Sequence, residues 1–304
     1  MEYDVAIIGG GVAGLTAAIY SGRRELKTVV FEEKLPGGQL NFTAMIENYP
    51  GFPVGILGPE LGVKIKEQAE RYGVEIRQEA VTAVKKDGMR FKVTAEGEYV
   101  AKAVIFATGT RRRELTIPGE SRLKNRGITY CATCDGPLFK GKKVAVVGGG
   151  DSAVESALMM TKIASSVCLI HRRDKLRAEE IMQKRLFAQN VTPLWDTEVV
   201  EAFGEKMLEK IKVKNLKTGE EKELEIQGLL VEIGTLPQSK VAKECGIELA
   251  ESKYIKANDR GETNVKGAYA AGDVTGVELQ LGVAVSQGII ASKGAYHYIC
   301  TECD

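Results

Sequence analysis

The chain has 304 residues, with 42 Lys and Arg against 41 Asp and Glu and a formal charge of +1. That near cancellation removes the electrostatic case for nucleic acid or an anionic membrane as the main partner, and no apolar stretch reaches bilayer-spanning length. The length suits two domains, each with its own core. Met1-Glu2-Tyr3-Asp4 runs into an apolar strand with no basic leader, so a cytoplasmic protein is expected.

Val5-Ala6-Ile7-Ile8 reads as a buried parallel strand, Gly9-Gly10-Gly11-Val12-Ala13-Gly14 as a turn, and the Ala-rich stretch from Leu15 as a helix. Glycines at positions 9 and 11 allow the tight turn and close approach of a pyrophosphate to the helix N-terminus, while Gly14 lets the helix pack near the strand. A second strand, Thr28-Val29-Val30-Phe31, ends at Glu32, where an acidic residue would meet an adenosine ribose. The Gly- and Pro-dense stretches Leu35–Leu40 and Glu47–Pro53 predict loops, which often wall a site. A helix over about 59–72 and a β-rich stretch over 74–104 follow, and the apolar run Val104–Ala107 ends in a small-residue turn at Gly109. That turn admits a ligand or simply closes a strand.

Cys131-Ala132-Thr133-Cys134-Asp135 lies between two glycine loops. Cysteines two residues apart can close and reopen a small disulfide, storing two electrons, and Asp135 is suited to moving the proton that thiolate chemistry requires. A half zinc site and two inert thiols are the alternatives. Residues 144–153 then repeat the pattern of 5–14, with Gly148 and Gly150 in the turn and Ala153 in place of the last glycine. The strand after it, Val167–Ile170, leads into His171-Arg172-Arg173-Asp174-Lys175-Leu176-Arg177 instead of an acid. Arginine there pairs with an extra ribose phosphate, which argues for NADP over NAD; the plain alternative is a solvated basic helix start. Segments 198–201, 211–213 and 228–234 read as an antiparallel element closing this module.

Near the C-terminus Ala268–Ala271 is an apolar strand ending in Gly272-Asp273, placing a carboxylate where it can accept hydrogen bonds from a polyol such as a flavin ribityl chain. A helix over about 280–296 would add its N-terminal dipole. The fold class expected is therefore α/β, with two Rossmann-like dinucleotide-binding domains of three-layer ββα type. A discontinuous FAD domain, 1–112 with 245–304, is split by an inserted NADPH domain, 113–244. The remaining cysteines are Cys168 and Cys245, read as packed small hydrophobes, and a second CxxC, Cys300/Cys303. With only His171 and His297 present, no metal is expected. The terminal pair is a second relay, a metal-binding tail or a frayed end.

Together GGGVAG at 9–14, GGQL at 37–40, ENYPG at 47–51, ATG at 107–109, CATCD at 131–135, GGGDSA at 148–153, HRRDKLR at 171–177 and AGD at 271–273 resemble the low-molecular-weight thioredoxin reductases, over nearly the whole chain. The resemblance implies an NADPH-dependent, FAD-containing thioredoxin-disulfide reductase, a homodimer in which electrons pass from NADPH through FAD to the Cys131–Cys134 disulfide. It implies Cys134 facing the flavin, Cys131 attacking the disulfide of thioredoxin or a glutaredoxin-like protein, and Asp135 as acid or base. Gly9, Gly11, Gly14, Glu32, Gly38, Gln39, Asn48, Gly109, Asp273 and Gln280 would hold FAD; Gly148, Gly150, Ala153, Arg172, Arg173 and Arg177 would hold NADPH. Leu279 and the terminal CTECD depart from the family pattern. A same-fold reductase fed by ferredoxin would lack an intact second glycine loop and arginine cluster, and both are intact here. A dithiol oxidase or a non-enzymatic flavin sensor has no need of a second nucleotide module.

Overall fold

The computed structural model describes residues 1–304 except Ala44, Glu47 and Asp304, and leaves out the side chains of Met45, Thr133 and Cys134. The chain divides into two compact units, Met1–Arg111 with Leu236–Asp304, and Arg112–Thr235.

In the discontinuous unit the strand Glu2–Ile8 pairs in parallel with Thr28–Phe31 on one side and Glu98–Phe106 on the other, Ile8 lying opposite both Phe31 and Phe106. Glu75–Arg77 extends the sheet beyond Thr28–Phe31. The long strand Glu98–Phe106 serves two partners along its other edge. Its first half pairs antiparallel with Arg90–Thr94, and its last residues pair in parallel with Ala268–Ala270. Val5, Ile7, Ile105 and Phe106 are fully buried, each stabilising the unit by about 1.5–3 kcal/mol relative to exposure.

The helix Val12–Gly22 is buried almost all round, which its small residues permit. It packs on the C-terminal helix Leu281–Glu302. A Cβ on Gly288 would lie 2.4 Å from the Ala13 carbonyl oxygen, so glycine there sets how closely the two helices approach. The hydroxyls of Ser21 and Ser292 hydrogen-bond across the contact at 3.0 Å.

The inserted unit carries a five-stranded parallel sheet in the order Ile128–Thr129, Gly228–Glu232, Lys143–Gly148, Ser166–Ile170, Val191–Leu194. A separate antiparallel sheet joins Thr197–Phe203, Lys210–Asn215 and Glu221–Glu225.

Several expectations need correcting. Within the run 228–234, the strand Gly228–Glu232 belongs to the parallel sheet and not to the antiparallel element, because all five of its residues are buried beside Lys143–Gly148. The chain returns to the first unit at Leu236 rather than 245, because the helix Lys240–Glu244 buries Ala242 in the same cluster as Phe31, Ile247 and Ile255. The loop-rich stretch after Leu35 contains a helical turn, Gly38–Phe42, and a short hairpin pairing Met45–Ile46 with Ile56–Leu57. The basic segment 171–177 is a loop; the next helix begins only at Glu180. The last helix runs on to Glu302, so Cys300 sits in a helical turn and not in a frayed tail.

Candidate dinucleotide and disulfide sites

The first glycine loop leaves strand Glu2–Ile8 with Gly9 at φ +107, a conformation that favours glycine. A Cβ on Gly9 would meet the Ala107 carbonyl oxygen at 2.3 Å, and one on Gly14 would meet the Gly9 carbonyl oxygen at 1.9 Å. Glycine is therefore required at both ends of the loop. The helix that follows has Gly11 at its N-cap, no side-chain cap and no acid in its first turn, so its N-terminal N–H groups present partial positive charge suited to a phosphate. Gly38, at φ +57, lies so near Gly11 that a Cβ there would stand 2.9 Å from the Gly11 Cα.

Glu32 is held by two backbone donors: Gly10 N–H donates to Oε2 at 2.8 Å and Lys34 N–H to Oε1 at 3.0 Å. Gln39 donates to the Thr110 carbonyl at 2.9 Å, and Asn48 to the Gln280 side-chain oxygen at 3.4 Å. Gly109, at φ +62, has no atom that a Cβ would touch. Burial pushes the Asp273 carboxyl above its ordinary range, and a hydrogen bond from Thr110 opposes that shift. A desolvated carboxylate of this kind gains from further hydroxyl donors, such as those of a polyol. Gln280 is the N-cap of the last helix, again without a side-chain cap or first-turn acid. These features fit FAD.

The second loop has Gly148 at φ +155 and Gly150 in open space. Gly150 is the N-cap of helix Asp151–Met160, with no side-chain cap. Asp151 is in its first turn, but the carboxylate accepts the Glu179 N–H at 2.8 Å. Ala153 is fully buried, so this loop accommodates a methyl where the first accommodates none. Arg172, Arg173 and Arg177 are all exposed on the 171–179 loop, and their side chains make no hydrogen bond or ion pair among the described residues, which leaves three guanidinium forks available for a phosphate. The residues fit a phosphorylated dinucleotide.

In the sequence His171 is only the first member of a basic run; in the structure its role is to fasten loops. The ring is buried, 2.1 Å from where a Gly149 Cβ would stand, and burial pushes the imidazole below its ordinary value. It hydrogen-bonds the Lys175 carbonyl at 3.0 Å, while Arg177 and Ala178 donate their N–H groups to the Gly149 carbonyl at 2.6 and 3.2 Å. The arginine loop is thereby tied to the glycine loop.

Cys131 is disulfide-bonded. The expectation for Cys134 falls on a side chain outside those described. Two supports hold the Cys131 stretch, and neither is visible in the sequence. The buried Thr129 hydroxyl accepts the Cys131 N–H at 3.1 Å and donates to Asp135 Oδ2, tying the acid to the cysteine. Buried Glu120 accepts the Tyr130 hydroxyl at 2.6 Å together with the N–H groups of Leu115 and Thr116 at 2.7 and 2.5 Å. Burial and this carboxylate push the Tyr130 phenol up, so it stays a donor. No residue type around Glu120 announces such a nest; only the fold brings its carboxylate to Tyr130. Cys168 and Cys245 are half-buried free thiols, both pushed up by burial, Cys168 to about 11, which makes them poor nucleophiles at neutral pH.

Two nucleotide cradles and a disulfide-bonded cysteine define a nucleotide-dependent dithiol oxidoreductase. The chain belongs to the pyridine nucleotide-disulphide oxidoreductase family, whose model matches residues 3–288. It is 45% identical over 302 residues to a thioredoxin reductase of Bacillus subtilis, covering 98% of this chain and 95% of that protein. Among solved structures, Lactococcus lactis thioredoxin reductase superposes with a TM-score of 0.90 at 43% identity, covering 98% of this chain and 99% of the other. The thioredoxin reductase of T. acidophilum gives 0.88 at 34% identity, covering 99% of each. Among the described residues no helix is long and apolar enough to cross a membrane, and no group of three or more His, Cys, Asp or Glu is arranged to hold a metal.

Proposed function

We propose that the chain is an NADPH-dependent, FAD-containing thioredoxin-disulfide reductase, with FAD in the discontinuous unit and NADPH in the inserted one. The observation that carries this reading is the disulfide-bonded Cys131 in the unit that also bears the second glycine loop and its unpaired arginines. The reading extends to a cytoplasmic homodimer that serves thioredoxin or a glutaredoxin-like small disulfide protein.

When bound, the nicotinamide supplies a hydride and the flavin relays two electrons to a disulfide. The residues of the chain bind and orient. The N–H groups around Gly9, Gly11 and Gly14 take one pyrophosphate, Glu32 the ribose, and Asp273 the polyol, with Gly38, Gln39, Asn48, Gly109 and Gln280 lining the same site. Gly148, Gly150 and Ala153 take the second pyrophosphate, and Arg172, Arg173 and Arg177 the ribose phosphate. In the reduced pair, the Cys131 thiolate attacks one sulfur of the substrate disulfide, and the other sulfur leaves with the electron pair and is protonated. Cys134 then attacks the Cys131 sulfur, releasing the second substrate thiol and restoring the disulfide. Asp135, held by Thr129, moves the proton.

Anaerobic stopped-flow reduction of the flavin by NADPH and by NADH, followed by addition of oxidised thioredoxin, tests the assignment. NADPH should bleach the flavin much faster than NADH, and thioredoxin should restore the colour. Absence of reduction by either nucleotide would sink the reading.

Charge-assisted hydrogen bonds contribute about 1.5–3 kcal/mol each, so Arg177→Ala should raise the KM for NADPH roughly tenfold or more with little effect on NADH. Steady-state kinetics with both donors checks this, and equal losses with both would refute a phosphate contact. Thr129→Val leaves the Asp135 carboxylate and the Cys131 N–H without their partner. The rate of thioredoxin reduction should fall about tenfold, consistent with part of the general acid–base contribution, and its pH profile should shift. Thr129→Ser should restore both, with flavin reduction by NADPH unchanged throughout.

A further inference from the structure

The proposed reaction makes no use of Cys300 and Cys303. Cys300 lies in the last turn of the C-terminal helix, and Cys303 caps that helix at φ −112, ψ −1, with its N–H on the Ile299 carbonyl at 3.2 Å. Residues three apart on helical backbone have Cα atoms about 5 Å apart, within the range of about 4.4–6.8 Å that a disulfide spans. Both are free thiols. Cys300 is exposed, one helical turn beyond Tyr296; Cys303 is half-buried against the core cluster of the discontinuous unit that includes Tyr298. The last turn is anchored by the Lys266–Glu302 ion pair at 2.8 Å. Among the described residues the pair belongs to no group of three or more His, Cys, Asp or Glu.

We propose that Cys300 and Cys303 form a second dithiol–disulfide couple that exchanges with the disulfide of the thioredoxin-type substrate, the choice of substrate resting on the function proposed above. The exposed Cys300 thiolate attacks one substrate sulfur, and the other leaves with the electron pair and takes a proton. Cys303 turns from its pocket and attacks the Cys300 sulfur, closing the intrachain bond and releasing the second substrate thiol. Two electrons and two protons pass from the pair to the substrate, and reduced thioredoxin reverses the exchange. The end of the helix thus equilibrates with the pool that the enzyme maintains.

Holoenzyme oxidised with diamide and desalted is titrated anaerobically with dithionite, beside the Cys300→Ser/Cys303→Ser variant and the single Cys300→Ser variant. Wild type should consume about two more electrons per chain than either variant, since a disulfide is a two-electron couple, with the flavin spectrum unchanged. Equal consumption overturns the couple. Separately, pre-reduced holoenzyme is mixed with oxidised thioredoxin without NADPH, quenched with iodoacetamide and digested with trypsin. The peptide from Gly294 onward should be cross-linked and unalkylated; full alkylation overturns thioredoxin as its oxidant. If thioredoxin also fails to reoxidise the flavin, the proposed function falls, while the dithionite titration still decides the couple.

Discussion

Cys131→Ser should abolish thioredoxin reduction, by more than about a thousandfold as loss of a covalent nucleophile does, while NADPH still reduces the flavin at its normal rate. The reason is chemical: a serine hydroxyl is not ionised near neutral pH and forms no disulfide, so neither the attack nor the return of electrons is available. The variant loses the disulfide, but the stretch keeps two supports that do not involve the sulfur. Thr129 binds the Cys131 N–H, and Glu120 binds Tyr130. Cys168→Ser is the matched control, since burial holds that thiol at about 11 and out of the chemistry. Turnover with thioredoxin beside stopped-flow flavin reduction separates the two half-reactions. Residual turnover in the Cys131 variant would mean that another thiol carries the exchange, and loss of flavin reduction as well would mean that the substitution disturbs the nucleotide sites.

What the sequence discloses is local. The glycine loops are legible because strand, tight turn and helix follow one another without interruption, and Gly9 and Gly14 have no substitute that fits. The parallel strand Gly228–Glu232 is misread from sequence because a short apolar run does not reveal its neighbour; its partner, Lys143–Gly148, lies far earlier in the chain. Strand Glu221–Glu225 escapes notice because EKELE has no apolar alternation. It is held by backbone pairing with Lys210–Asn215 and by charge pairs such as Lys210 with Glu223 at 2.7 Å. Thr129, Glu120 and His171 have no signature, since a threonine, a glutamate and a histidine acquire their roles only when the fold supplies a cysteine N–H, a tyrosine and a glycine loop. The arginines are legible by position alone, as the residues after the second strand of a repeated module.

The two glycine loops differ at their last position, Gly14 against Ala153, and that difference forms its own control. Gly14→Ala should cost the protein its flavin. The added methyl would stand 1.9 Å from the Gly9 carbonyl oxygen, a backbone atom that cannot swing aside as a side chain can, and 3.3 Å from Ala107 Cβ. Relief requires the helix to withdraw from the strand or the loop to open, and either moves the N–H groups off the phosphate. Overpacking of this kind costs about 1–3 kcal/mol in stability, whereas the loss of phosphate donors acts on FAD affinity directly. At the corresponding place in the second loop Ala153 is already present and fully buried, with Gly148 at φ +155 where Gly9 stands at +107. Ala153→Gly removes only a methyl and adds backbone freedom, a cost of about 1 kcal/mol, and should leave flavin content untouched. Flavin absorbance per chain after gel filtration, with thermal unfolding of the same samples, reads both effects. Stoichiometric flavin in the Gly14 variant would show that the loop has slack which the 1.9 Å approach denies, and the assignment of this cradle to the pyrophosphate would have to be given up.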